Sequence, residues 1–380
     1  MTKIYNYPLK NAWTFGSTLR STGIYRRICE LHYGEGMNCD KLNRVADEDK
    51  VQERNAEWFL YTAIAYFIPA LFSDTLLGAY ADRNGRKIVV LLGLVGISIS
   101  EFGYLLVLSY LVNAPFWIIL IFDFCSGLTG FITMIPVSCN AYLSDITQDG
   151  DILTIRLCIF SMFQSFASII GAVVAGIVYK LDILYAIDIE LFIYFLTFLY
   201  VLWRIPQKPG AEEIARRYAS GGQKRPFLRE LRDMLKEGFN SYVKRRMGYR
   251  RCYIFVSVIV LMISSTISEE TRISMVMNSY VFRRTDKDSL DWDQRDLGYW
   301  NGSGFAINLV GTLIGLCLFK QVLRLRETTM IIIGLLSSIA RSILIALATK
   351  WWYMYVANAC GLFVGLIQPA IASFLRQVRK

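Results

Sequence analysis

Long apolar runs are the feature that most restricts how this chain can fold. Of its 380 residues, 54% are hydrophobic and only 19% are charged, whereas soluble domains average about 45–50% apolar and about 25% charged residues. The apolar residues gather in runs close to or above the roughly 20 that cross a bilayer as a helix. Lipid offers no hydrogen-bond partners to the backbone, and these runs lack the alternation of strands. They therefore predict an all-α, polytopic membrane protein.

Nine candidate spans follow a polar segment, 1–57. They are Trp58–Tyr80, Ile88–Val112, Phe116–Tyr142, Leu157–Tyr179, Ile183–Trp203, Cys252–Tyr280, Tyr299–Phe319, Thr328–Thr349 and Trp351–Leu375. A basic linker, 205–251, separates five spans in 58–204 from four in 252–380. This division predicts a helical bundle built from two halves.

The linker also sets the predicted orientation. It holds 13 Lys/Arg and 5 Asp/Glu in a chain of formal net charge +10. Basic residues flanking spans stay in the cytosol, and anionic lipid accounts for the charge without a nucleic-acid partner. Counting outward places the loop Asp82–Lys87 in the cytosol and the segment 1–57 outside, although that segment contains neither a signal peptide nor a span.

The sharpest motif lies between the first two spans. It reads Gly78-Ala-Tyr-Ala-Asp82-Arg83-Asn-Gly85-Arg86-Lys87. This resembles the signature loop G-x-x-x-D-R-x-G-R-K of the major facilitator superfamily, which implies a two-half transporter of twelve helices. We expect Gly78 to allow close helix approach, Gly85 to adopt a positive φ, and Asp82 to cap the next helix or pair with an arginine. The resemblance implies that the loop is a conformational latch, and a purely topogenic turn is the alternative.

The flanking sequence narrows the resemblance to the proton-coupled folate transporter branch, solute carrier family 46. The matching segments are Phe72-Ser-Asp74-Thr-Leu-Leu-Gly78, Ser126-Gly127-Leu-Thr-Gly130 and Tyr142-Leu-Ser-Asp145-Ile-Thr147. The branch implies a small organic anion, folate-like or peptidoglycan-fragment-like, carried with a proton across the plasma membrane or, alternatively, the lysosomal membrane. Membrane lipid is the remaining partner.

The chain also departs from that branch. Nine spans against twelve predict that the first and the last two are missing. In that branch a disulfide joins the first outer loop to the outer loop after span seven. Cys39 is the candidate partner in the first loop here, but the second loop, Phe282–Gly298, contains no cysteine. The branch also uses histidines in the middle of the bundle, whereas the single histidine here is His32 in the polar segment.

Ionisable side chains inside spans are expensive and therefore mark candidate sites. Glu101, Asp123, Glu269 and Arg341 are the predicted substrate and proton pathway. The carboxyl groups can load and release protons. Arg341 cannot deprotonate, so it holds an anionic substrate or neutralises one of the acids. Glu101 and Arg341 come from different halves, as expected for a midplane site; structural ion pairs are the alternative.

Two further pairs of charged residues complete the set of candidate functional residues. Asp145 and Arg156 are predicted to form a cytosolic network, with a structural role as the alternative. Asp188 and Glu190 lie about a third of the way into the fifth span.

Enzyme chemistry has little support in this sequence. There is one histidine, no CxxC pair, no HExxH, no phosphate-binding glycine loop and no GxSxG, so neither a metal nor a cofactor is predicted. The leading prediction is a secondary transporter with alternating access, carrying an organic anion in symport with protons. The alternative is a carrier-derived membrane protein that does not transport, a short isoform or an incomplete gene model.

Overall fold

The computed structural model is helical throughout the part of the chain that it describes. That part comprises residues 2–33, 45–109, 114–130, 134–147, 150–178, 183–204, 294–323, 325–367 and 369–371, with single residues 236, 252, 255, 256, 259, 281, 290, 292 and 374. Ten α-helices fall within it. They are α1 (Thr2–Tyr33), α2 (Val45–Asn84), α3 (Lys87–Leu108), α4 (Ile118–Leu128), α5 (Met134–Asp145), α6 (Gly150–Ile177), α7 (Ile183–Arg204), α8 (Gln294–Gly315), α9 (Glu327–Ala346) and α10 (Trp351–Cys360). A π-helical turn, Leu316–Val322, continues α8, and a 3-10 turn, Val364–Leu366, follows α10.

Seven helical segments among the described residues are long and apolar enough to cross a membrane. They are Lys50–Ala81, Lys87–Leu108, Ile155–Ile177, Ile183–Arg204, Arg295–Phe319, Glu327–Ala346 and Trp351–Ile371. Each overlaps one of the predicted spans, which confirms the all-α membrane fold. The sixth predicted span, Cys252–Tyr280, lies almost wholly outside the described residues, and with it Glu269.

The third predicted span, Phe116–Tyr142, is not one continuous helix. It is divided into α4 and α5, and Gly130 lies just beyond the end of α4 with φ of 83°. Positive φ is available to glycine at no steric cost. The carbonyls at this end are satisfied by hydroxyls: Ser73 Oγ donates to Gly127 O at 2.7 Å and Thr129 Oγ1 to Ser126 O at 2.7 Å. A broken helix is tolerated in lipid only when its backbone is satisfied in this way.

The segment 1–57, predicted to be polar and without a span, contains the 32-residue helix α1 and the start of α2. The described part of α1 does not meet the length and hydropathy criteria that the seven segments meet. It is nevertheless packed against other helices, because Leu9, Ala12 and Leu19 are buried.

The chain folds into two compact units. The first comprises Met1–Tyr5, Leu60–Ile146 and Ile187–Arg251; the second comprises Asn6–Phe59, Thr147–Ala186 and Cys252–Lys380. This division differs from the predicted halves, 58–204 and 252–380, and from the boundaries of the basic linker. The two-half division therefore stays a prediction.

Within the second unit, α6 and α8 pack so closely that glycine is required between them. A Cβ on Gly298 would lie 2.7 Å from Gly176 Cα and 2.9 Å from Ala172 O. Both distances are to backbone atoms, which cannot rotate away. Helices in membranes associate through such small residues because lipid provides no hydrophobic force between them.

We expect Gly298→Val to destabilise the protein by about 1–3 kcal/mol, since overpacked cores cost that much. Thermal unfolding of detergent-purified protein, followed by loss of the monodisperse chromatographic peak, measures this. Ala340→Val is the matched control, because Ala340 is exposed on α9. Equal unfolding temperatures for the two variants would contradict the tight α6–α8 contact.

Candidate functional site

Asp123, on α4 in the first unit, is a buried carboxylate held by two hydroxyl groups. It is 2% exposed. Ser100 Oγ donates to Asp123 Oδ1 at 2.6 Å and Tyr104 OH donates to Oδ2 at 3.3 Å. Both donors lie on α3, one turn apart. The acid is therefore fixed between two adjacent helices rather than left in lipid.

Small residues on α3 bring the two helices close enough for these bonds. A Cβ on Gly103 would lie 2.6 Å from Phe122 Cβ, and one on Gly96 would lie 3.1 Å from Ser126 O. Gly96, Ser100 and Gly103 are spaced by four and three residues, so they share one face of α3. The short Ser100 side chain on that face can then reach Asp123.

Two further carboxyl groups are fully enclosed in the first unit. Glu101 on α3 and Glu190 on α7 are each 0% exposed, and Tyr194 OH donates to Glu190 Oε1. Asp188, two residues earlier, is exposed. Sequence analysis noted both acids of α7 but did not choose between them. The signal was present, because Glu190 lies in the helical stripe of Ile187, Tyr194, Thr197 and Val201, all of which are buried.

The structure confirms one of the expectations made for the signature loop. Gly85 has φ of 94°, which confirms the predicted positive φ. A Cβ on Gly78 would meet no described atom within 4 Å, so the expectation that Gly78 permits close helix approach stays a prediction. The side chains of Asp82 and Arg83 lie outside the described residues.

Lys87, the last residue of the signature loop, contacts the backbone of another helix. Lys87 Nζ donates to Leu202 O at 2.6 Å, near the carboxy-terminal end of α7. The last carbonyls of a helix have no partner within it, and a cation there also interacts favourably with the helix dipole. The latch role of Gly78, Asp82, Arg83, Gly85, Arg86 and Lys87 stays a prediction.

Arg341, on α9 in the second unit, is a half-buried cation set against an aromatic ring. Its Cζ lies 5.9 Å from the centroid of the Trp300 ring on α8, within the range of a cation–π interaction. A Cβ on Gly361 would lie 2.7 Å from Arg341 Cδ, so the arginine stem passes directly over that glycine. The position of the guanidinium is therefore defined by α9, by Trp300 on α8 and by Gly361, which follows α10.

Asn358, on α10, keeps Trp300 in place. Its Nδ2 donates to Trp300 O at 3.0 Å and to Ser303 Oγ at 3.1 Å, while Trp300 Nε1 donates to Met354 O at 3.0 Å. Asn358 and Trp300 are each 2% exposed. Sequence analysis did not single out either residue for the site. A polar amide within an apolar span was the available signal.

The cytosolic network is only partly described. Arg156 NH1 donates to Thr147 Oγ1 at 2.8 Å, and Asp145 is the last residue of α5, but its side chain lies outside the described residues. Glu269 lies outside them as well. The first unit thus contains the buried acids Glu101, Asp123 and Glu190, and the second contains the cation Arg341.

The family model of the Major Facilitator Superfamily matches residues 52–378. Among curated proteins, solute carrier family 46 member 2 of Canis lupus familiaris is 22% identical over 89% of this chain and 70% of its own length. A lysosomal proton-coupled steroid conjugate and bile acid symporter of Pongo abelii is 23% identical over 97% of this chain and 78% of its own length.

Solved structures show the same fold. The human organic anion transporter TETRAN superposes with a TM-score of 0.62, at 13% identity, over 98% of this chain and 84% of its own. At that identity the likeness shows the fold alone. The matched relatives are transporters rather than enzymes. This chain therefore belongs to the Major Facilitator Superfamily, in which it resembles the solute carrier 46 branch, and it is an integral multi-pass membrane transporter.

Proposed function

We propose that this transporter carries an organic anion in symport with protons by alternating access. The observation that carries the proposal is Arg341, a permanent cation held within an apolar span against Trp300 and Gly361. A charge at that depth costs free energy unless it serves a partner or a substrate. In addition to its contacts within the protein, the guanidinium can bind an anionic substrate in each transport cycle.

The geometry around Arg341 suits an amphipathic anion. The guanidinium presents several N–H donors in one plane, which match a carboxylate or a sulfate, and Trp300 and Tyr353 are aromatic neighbours in the same unit. Steroid conjugates and bile acids, which the Pongo abelii relative carries by name, combine an anionic group with an apolar ring system. They are the first substrates to test, followed by folate-like and peptidoglycan-fragment-like anions.

Asp123 is the proposed proton carrier, with Glu101 as the second acid. Ser100 and Tyr104 both contribute hydroxyls, and a hydroxyl can donate to a carboxylate or accept from a carboxylic acid. The hydrogen bonds at Asp123 can therefore adjust to either protonation state without a change of partners. A carboxyl group that keeps its hydrogen bonds in both the protonated and the ionised form is suited to pick up and release a proton in each transport cycle.

We expect Arg341→Ala to lower kcat/KM for uptake of a labelled bile acid at pH 5.5 at least about tenfold, which corresponds to about 1.4 kcal/mol. Gly361→Ala should raise KM with a smaller effect on kcat, because the added Cβ displaces the arginine stem. Arg295→Ala is the control: Arg295 also lies against an aromatic ring, 5.4 Å from the centroid of Tyr299, but it is exposed.

The uptake experiment also decides between this proposal and the alternative of a protein that does not transport. Cell-surface or lysosomal abundance of each variant is measured in parallel. Uptake that survives Arg341→Ala undiminished would rule out the role of Arg341. No uptake of any tested anion by the abundant wild-type protein would favour the alternative.

We expect Asp123→Asn to abolish accumulation driven by a pH gradient while leaving exchange of substrate at equal pH. The amide preserves the shape and one acceptor of the carboxyl group but cannot carry a proton. Reconstituted vesicles containing a pH-sensitive dye measure both processes. Asp188→Asn is the matched control, since Asp188 is exposed on α7. Gradient-driven accumulation by the Asp123→Asn protein at the wild-type level would assign coupling to another group.

A further inference from the structure

One turn of α10 holds the aromatic ring against which Arg341 lies. Trp300 Nε1, on α8, donates to Met354 O at 3.0 Å, and Asn358 Nδ2 donates to Trp300 O at 3.0 Å. Met354 and Asn358 are four residues apart, so they share one face of α10. The indole and the backbone of Trp300 are therefore both fixed by the same face of one helix.

The chain on that face also contacts Arg341 itself. Gly361 comes three residues after Asn358, and a Cβ on Gly361 would lie 2.7 Å from Arg341 Cδ and 3.3 Å from Asn358 O. The guanidinium Cζ lies 5.9 Å from the centroid of the Trp300 ring. The arginine stem thus contacts the end of α10, and its charged group lies against a ring that α10 holds. Because cation–π attraction depends on the position of the cation over the ring, a displaced ring releases the guanidinium.

The Asn358 side chain fits between α10 and α8 and spans one turn of α8. Its Nδ2 donates to Ser303 Oγ at 3.1 Å as well as to Trp300 O, so both amide hydrogens are used. A Cβ on Gly304 would lie 3.2 Å from Nδ2 and 3.3 Å from Oδ1. The absence of a side chain at Gly304 therefore gives the amide its place beside α8.

An amide is an expensive group at this position. Asn358 is 2% exposed, and within the part of the chain that the structure describes its Oδ1 has no hydrogen-bond donor. A buried acceptor without a donor costs free energy that an apolar side chain of similar size would not cost. Packing alone therefore gives no reason for an amide here, whereas the orientation of Trp300 does.

We propose that Asn358 is a positioning residue, which fixes the guanidinium of Arg341 through Trp300 and so sets the affinity of the transporter for an organic anion. The inference rests on the proposed function, in which Arg341 binds the anion. Asn358 acts without touching the substrate. Its removal therefore weakens binding and leaves the turnover of bound substrate nearly unchanged.

The position of the guanidinium is tested without substrate. Purified protein is labelled with phenylglyoxal, which modifies arginine side chains, and the labelling of Arg341 is followed by peptide mass spectrometry. We expect Asn358→Ala to label Arg341 at least about twofold faster, because the guanidinium leaves the face of Trp300. Ser342→Ala is the matched control, since Ser342 Oγ is bonded within α9, to Ser338 O at 3.1 Å. Equal labelling of Arg341 in wild-type and Asn358→Ala protein would overturn the positioning role.

The effect on affinity is tested by a double-mutant cycle for binding of a labelled bile acid to purified protein. We expect Asn358→Ala to raise Kd about threefold to tenfold in the wild-type background, and less than about twofold in the Arg341→Ala background. Uptake measured in parallel should show the same rise in KM, with kcat within about twofold of wild type. A residue that only stabilises the fold would weaken binding by the same factor in both backgrounds, and that result would overturn the proposal.

The cycle also separates this inference from the proposed function. A wild-type Kd in the Arg341→Ala protein would overturn the proposed role of Arg341, and with it the effect of Asn358 on affinity. Weaker binding by Arg341→Ala, together with unchanged binding by Asn358→Ala, would overturn the inference alone.

A second variant keeps the test independent of whether Asn358→Ala folds. Ser303→Ala retains the amide of Asn358 and removes one of its two acceptors. We expect smaller rises in Kd and in the labelling rate of Arg341 than those for Asn358→Ala. Wild-type values of both quantities in Ser303→Ala would contradict the proposal.

Discussion

The constraint on which the rest of this structure depends is that lipid satisfies no polar group. Every donor, acceptor and charge inside the bilayer has to find its partner in the protein. The interrupted third span shows the consequence, because the hydroxyl groups of Ser73 and Thr129 donate hydrogen bonds to backbone carbonyls at the end of α4. Asp123 shows it for a charged group, since two hydroxyls on α3 reach its two oxygens.

Close packing of small residues makes these bonds possible. Gly96 and Gly103 let α4 approach α3 closely enough for Ser100 to reach Asp123. Gly361 gives Arg341 the space to lie above Trp300. In each unit a side chain with a proposed role in transport is thus positioned by glycines that have no chemistry of their own. The acids of the first unit and the cation of the second are the groups to which we assign proton and anion binding in the proposed function.

Sequence analysis predicted nine spans, of which seven overlap apolar helical segments of the described structure, and it predicted the positive φ of Gly85 and the family. Each of these is a property of neighbouring residues. It missed the features that depend on distant ones. The break after α4 is supported by a bond from Ser73 to Gly127, 54 residues apart, and Trp300 lies 41 residues before Arg341. The packing of α1 was missed for the same reason: its low apolarity is explained only by the helices around it, α6 above all.

The sequence by itself determined that this chain resides in a membrane and which of its segments can span one. The free energy of transferring about 20 consecutive residues into lipid is a sum over the side chains of that segment, so it can be estimated from the sequence without a structure. Only the tertiary structure decided which polar groups are enclosed together. Glu190 is buried and Asp188 exposed although both lie on α7, because the rotation of a helix about its axis is set by the helices packed against it.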